Sequence, residues 1–131
     1  MTDVIRKDAL ARLAQGDDTC AKELTLAMFS GKWKLAILCH LSQHQHYRFN
    51  EIKRLLPKIT HKGLANQLRE LVQDDLITRT PAANGSNMVS YAITPLGRSL
   101  MPIIDAMRQW GQARIDQLLT QPATDESTTQ Q

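Results

Sequence analysis

Aromatic residues are scarce in this chain of 131 residues: Phe, Tyr and Trp together make up 5% of it. A core with so few rings must rest on Leu, Ile, Met and Ala, which suit packed helices better than an extensive sheet. Cysteine is scarcer still. Cys20 and Cys39 are too few for a disulfide scaffold, and both are expected to be reduced at rest. No apolar run approaches the ~20 residues that a membrane span needs. The opening Met1-Thr2-Asp3-Val4-Ile5-Arg6-Lys7 lacks the apolar stretch of a secretion signal. A cytoplasmic protein without membrane contact is therefore expected. There is no CxxC pair, no phosphate loop and no paired carboxylates beside a base. The expectation is a protein that is not an enzyme, with no catalytic residues and no cofactor.

The net charge is a modest +3, but its distribution is lopsided. Residues 31–80 carry nine Lys and Arg against four acids, Glu51, Glu70, Asp74 and Asp75, while the remainder carries seven against nine. A basic centre with mildly acidic ends is the pattern of a polyanion-binding surface.

That centre contains the most informative stretch. Thr60 is a good N-cap, and Leu64, Leu68, Leu71 and Val72 follow at helical spacing, so His61, Lys62, Ala65, Asn66 and Arg69 share the opposite, polar face. Before it, a first short strand is expected at Arg48-Phe49, and Asn50 is expected to cap a helix from Glu51 to Leu56. In that helix Ile52, Leu55 and Leu56 turn inward and Lys53 and Arg54 outward, with Pro57-Lys58-Ile59 as the turn. After it, residues 76–80 read as a strand, Pro81-Ala82-Ala83 should end its pairing, Asn84-Gly85-Ser86-Asn87 suits a hairpin tip, and Val89, Tyr91 and Ile93 alternate along the return strand. Helix, turn, helix, hairpin is the order of a winged helix-turn-helix that reads DNA. The fold expected is mainly α with a small antiparallel hairpin wing.

Upstream, residues 3–15 form an amphipathic arm with Ile5, Ala9, Leu10 and Leu13 on one side, then come helices over 20–29 and 32–42. The second of these is apolar over most of its circumference and so central; Cys39 within it is expected to be buried and inert. Downstream, Thr94-Pro95 starts a helix whose stripe of Leu96, Leu100, Ile103, Ile104, Met107, Trp110, Ile115, Leu118 and Leu119 has more apolar surface than one domain covers, with a kink expected at Pro102. The organisation expected is an N-terminal dimerisation arm (1–19), a DNA-binding domain (20–94), a C-terminal dimerisation helix (95–120) and a disordered tail (121–131). A two-fold homodimer would present two recognition helices to a pseudo-palindrome in double-stranded DNA.

The chemistry assigns roles. Thr60 and the first N–H groups of its helix suit a phosphate. His61, Lys62 and Asn66 face base edges, Lys pairing with guanine and Asn with adenine in the major groove. Arg69 meets phosphate, and Arg79 with the tip residues Asn84 and Ser86 reaches a minor groove or backbone. Cys20 starts a helix, where the dipole and Lys22 favour a thiolate while Asp17 and Asp18 oppose it, making it a redox-sensing candidate. Two other readings compete: a winged-helix module used for protein contact, and a metal-responsive regulator using His40, His44 and His46. The second has no carboxylate or second thiol nearby, so no metal site is expected.

Finally, Cys20-Ala-Lys-Glu-Leu-Thr, Gly31-Lys-Trp-Lys34, Ile37-Leu38, Arg48-Phe-Asn-Glu-Ile52, Gln67-Leu-Arg-Glu-Leu71, Tyr91-Ala-Ile-Thr-Pro-Leu-Gly97 and Trp110-Gly111 together resemble the HxlR-type transcription regulators. The resemblance covers about residues 20–111 in order and spacing. It implies a dimeric winged-helix protein that binds operator DNA as repressor or activator, with an effector that the sequence leaves unnamed. It further implies that Cys20 matches the position of a cysteine that senses oxidants or electrophiles in some members. Gly63 departs from the family, which usually carries a larger side chain there; glycine weakens a helix by ~1 kcal/mol relative to Ala but lets the backbone approach a groove.

Overall fold

The computed structural model describes residues 2–16, 20–83 and 88–120, the side chains of Asp3, Val4 and Cys20 excepted. In chain order the elements are α1 (Asp3–Ala14), α2 (Cys20–Phe29), α3 (Lys32–Leu41), β1 (Tyr47–Arg48), α4 (Phe49–Leu55), α5 (His61–Gln73), β2 (Ile77–Pro81), β3 (Val89–Ile93) and α6 (Pro95–Thr120). The chain divides into two compact units, 1–101 and 102–131. Among the described residues no helix is long and apolar enough to cross a membrane.

In the first unit Ile37, Leu38 and Leu41 of α3 are fully buried with Ile52 of α4, Leu64, Leu68 and Leu71 of α5, and Leu76 and Ile77 at the start of β2. Each such side chain contributes roughly 1.5–3 kcal/mol on leaving water. This aliphatic cluster fixes the helix-turn-helix pair, α4 and α5, against the central α3. The sheet is antiparallel in the order β1-β3-β2, with Tyr47 opposite Tyr91 on one side and Arg79 opposite Tyr91 on the other.

Three local expectations shift. β1 is Tyr47–Arg48 rather than Arg48-Phe49. Phe49 already belongs to α4, so Asn50 lies inside the helix instead of capping it, and the Glu51 carboxylate accepts from the Arg48 N–H at 2.9 Å. Leu55 is exposed, since α4 ends there and only Ile52 and Leu56 reach the core. The pairing of β2 reaches Pro81, which sits opposite Val89, and the next residue, Ala82, donates to the Met88 carbonyl at 2.8 Å, so the ladder ends within residues 81–83. A proline breaks a ladder only where its N–H would have been needed. The hairpin tip 84–87 and the tail 121–131 lie outside the described residues.

The exit from α5 is a Schellman turn: Leu76 N–H donates to the Leu71 carbonyl and Asp75 N–H to that of Val72, both at 3.0 Å. It places Asp75 at φ 61°, where a Cβ is strained. Asp75→Gly is accordingly expected to stabilise the protein by about 0.5 kcal/mol, the relief exceeding the added entropy of the unfolded chain; a lower urea midpoint would contradict it. Thr94 then caps α6, accepting from Gly97 N–H at 2.9 Å while its own hydroxyl donates to the Asp75 carbonyl at 2.6 Å.

The arm α1 turns its arginines inward. Arg6 pairs with the fully buried Asp74 carboxylate and Arg12 with Glu23, while Ile5, Leu10 and Leu13 are exposed. In the second unit, α6 presents Ile103, Met107, Trp110, Ile115, Leu118 and Leu119 to solvent, Trp110 at 74% exposure. Pro102 lies inside one continuous helix.

Candidate nucleic-acid interface

The face of α5 opposite its leucines is open. His61, Lys62, Ala65, Asn66 and Arg69 are all exposed, and among the described residues Lys62 and Asn66 have no hydrogen-bond or ion-pair partner. At its start, Thr60 Oγ1 accepts from Gly63 N–H at 2.9 Å, leaving the N–H groups of His61 and Lys62 directed outward, as the first turn of any helix does. A Cβ at Gly63 would lie 2.9 Å from that hydroxyl oxygen and 3.3 Å from Ile59 Cγ1. Glycine here preserves the cap. The His61 ring is not isolated: it packs on Phe49 of α4, centroids 4.5 Å apart.

Acids near this face are turned away from it. Lys34, which the sequence places among the basic residues of the centre, is 3% exposed, and its ammonium meets the Glu70 carboxylate at 2.7 Å. Burial alone would push the Glu70 carboxyl up. The Lys34 ammonium, by hydrogen bond and by charge, more than offsets it with a smaller contribution from Arg69, and the carboxyl lies below its ordinary range. Asp74 is likewise consumed by Arg6. The surplus of cations on the outer surface is thus less opposed than a residue count indicates.

The structure brings Arg79 to α5. Ala65, Arg69 and Val72 face Arg79 and Tyr91 across a cleft of about 300 Å³. A second, larger hollow of about 630 Å³ lies between the start of α4 and the base of the wing, lined by Arg48, Phe49, Asn50, Glu51, Arg54, Met88 and Val89. Arg48, Asn50 and Arg54 were not singled out by sequence reasoning, though the two arginines flanking a helix one element before α5 are the available signal. Their place beside the wing comes from the pairing of Arg48 with Ser90, which is a long-range fact.

The remaining site expectations divide. Asn84 and Ser86 lie outside the described residues, and Cys20 does so beyond its backbone, which starts α2. Cys39 is half-buried rather than buried, because it lies to one side of the α3 face that carries the buried Lys34, Ile37, Leu38 and Leu41. His44 packs edge-on against Tyr47 at 5.3 Å, and His46 is exposed. Among the described residues no three His, Cys, Asp or Glu side chains converge as a metal ion would require.

Comparison with known proteins gives consistent matches. A family model described as HxlR-like helix-turn-helix matches residues 28–118. The HTH-type transcriptional regulator YdzF of Bacillus subtilis (strain 168) is 45% identical over 92 residues, 70% of this chain and 84% of the relative. YtcD of the same organism, also an HTH-type transcriptional regulator, is 44% identical over 96 residues, 73% of this chain and 75% of the relative. Among solved structures, the redox regulator HypR in its reduced form superposes with a TM-score of 0.71 at 37% identity, covering 77% of this chain and 99% of that one. Its oxidized form gives 0.66 at 38% identity, covering 72% and 96%.

Proposed function

The chain belongs to the HxlR-like helix-turn-helix family and is a DNA-binding transcription regulator, and on that premise we propose that it grips a pseudo-palindromic operator as a homodimer. Lys62 and Asn66, with His61, read base edges in the major groove. Thr60 and the N–H groups behind it hold a phosphate, as does Arg69. Arg79 and the tip residues Asn84 and Ser86 reach the neighbouring backbone or minor groove. Arg48, just before α4, and Arg54 within it add phosphate contacts. The observation that carries this reading is the open cationic face of α5, whose neighbouring acids Glu70 and Asp74 are engaged elsewhere.

Duplex affinity is expected to fall steeply with salt, because each neutralised phosphate releases counterions. Lys62→Ala should lower operator affinity about tenfold while leaving the fold intact. Fluorescence anisotropy on the DNA flanking the gene measures both. An affinity unchanged by the substitution, or weak and sequence-blind binding of the kind a protein-docking wing would show, sinks the assignment. The same titration counts chains per site. Two are expected, since the large apolar side chains along 102–120 and those of α1 are each left open in a single copy.

A thiol-based response is proposed for Cys20. Its position at the start of α2 favours a thiolate through the helix dipole, and the relative HypR is described as a redox regulator with reduced and oxidized forms. Repeating the titration after oxidant treatment reads it, and a response that persists in Cys20→Ser excludes this residue.

A further inference from the structure

The cleft between α5 and the sheet has chemistry that a DNA phosphate does not use. Two of its residues are exposed arginines, Arg69 and Arg79, yet the rest of its lining is Ala65, Val72 and Tyr91. Tyr91 is the deepest of the five at 8% exposure. It is fixed from both sides by the ladder, opposite Tyr47 on β1 and Arg79 on β2. Among the described residues its hydroxyl has no hydrogen-bond partner. Although the ring is buried, the hydroxyl is not a buried orphan, since Arg6 Nε is the one such side-chain atom among the described residues; it is left free to donate to a ligand, and its residue lines a cleft with two guanidinium groups. Three donors therefore share one apolar slot of about 300 Å³, at the small end of the range for ligand pockets.

A bare phosphate would engage the arginines and leave the apolar lining unused. A carboxylate carried on a flat apolar body uses both: the charge accepts from Arg69, Arg79 and the Tyr91 hydroxyl, and the body takes the place of water against Ala65, Val72 and the Tyr91 ring. We infer that this cleft is an effector site for a small organic carboxylate of roughly a dozen non-hydrogen atoms. Its occupation neutralises Arg69 and Arg79 and so weakens duplex binding. Only that regulatory consequence rests on the assignment of the two arginines to the DNA interface; the binding itself stands apart from it.

Naphthoate is a suitable probe, with naphthylmethanol as its neutral counterpart and inorganic phosphate as the bare anion. Calorimetric titration of the full chain should give naphthoate a Kd on the order of 0.1–1 mM, with the alcohol and phosphate at least about tenfold weaker. Tyr91→Phe, which keeps the ring and the fold, should weaken naphthoate about fivefold and leave duplex affinity as it was; Arg79→Gln should weaken naphthoate about tenfold. Saturating naphthoate should lower the duplex affinity of the unaltered protein several-fold. No naphthoate binding, equal binding in both variants, or phosphate binding as tightly as naphthoate overturns the site. Naphthoate binding as expected without any change in duplex affinity overturns the regulatory consequence. A duplex affinity insensitive to salt before any ligand is added overturns the DNA assignment of the arginines, and leaves the ligand result standing.

Discussion

Replacing Gly97 with Ala is expected to lower the unfolding free energy by about 3 kcal/mol, although it adds a single methyl group and favours the helix by propensity. A Cβ at this position would stand 2.2 Å from the Leu76 carbonyl oxygen and 2.7 Å from Ile93 Cγ1. The isoleucine could rotate; the carbonyl could not. It accepts from Thr94 N–H at 3.1 Å, the N–H of the same residue donates to Leu71 as part of the Schellman turn, and the Leu76 side chain is fully buried. Moving that peptide would disturb the end of α5, the start of β2 and the cap of α6 together. Urea denaturation measures the loss, with an unchanged dependence on denaturant indicating that the same cooperative unit unfolds. A loss under about 0.5 kcal/mol would mean that the junction yields, and that the first turn of α6 is held less tightly than these distances imply.

This junction also marks the limit of what the sequence conveys. Helical periodicity and caps are local, and they locate α5, its Thr60 cap, its inward leucines and the Thr94-Pro95 start of α6. The open face of α5 follows from the same periodicity, so Lys62, Asn66 and Arg69 are legible as a group. What decides Gly97 is the approach of a helix to a strand that precedes it by some twenty residues, and no spacing rule encodes that. The same holds for Arg48 and Arg54, which acquire meaning only when β1 pairs with β3. Lys34 is the most instructive case. By composition it is one of nine cations in a basic segment; by structure it belongs to the core and contributes nothing to the surface. Its partner lies three elements further on, in α5, and only tertiary packing selects Glu70 from the available acids. Asn50 departs from its expected role for a smaller reason: asparagine carries a strong local preference for caps, and the Glu51 contact to Arg48 N–H overrides it.

Lys34→Met is expected to cost about 3 kcal/mol, because it takes from a largely buried carboxylate the main group that compensates its burial. The pair bridges α3 and the recognition helix at 2.7 Å, with the Glu70 side chain only 14% exposed. Without Lys34, Glu70 would face its desolvation with only weaker help, such as the charge of Arg69. The double replacement Lys34→Met with Glu70→Leu should recover most of the loss, since an apolar pair of similar volume carries no such penalty. The pH dependence is expected to be weaker in the single variant than in the unaltered chain. In the unaltered chain the folded Glu70 pKa is depressed, so the pair's contribution is fully present above the unfolded carboxyl value of roughly 4.3 and is lost as pH falls through the lower folded value. In Lys34→Met the largest lowering influence is gone while burial and the smaller pull of Arg69 remain, so the folded pKa rises from its depressed position and acidification costs less stability than in the unaltered chain. Chemical denaturation between about pH 3.5 and 7 would therefore show the two stability curves converging at low pH. Parallel curves would mean that Glu70 finds water once Lys34 is gone. Because the pair anchors the end of α5 that carries Arg69, the single variant should also bind operator more weakly than its residual folded fraction accounts for. The double variant, with the helix seated again on apolar contacts, should regain that affinity if the ion pair serves only to position α5.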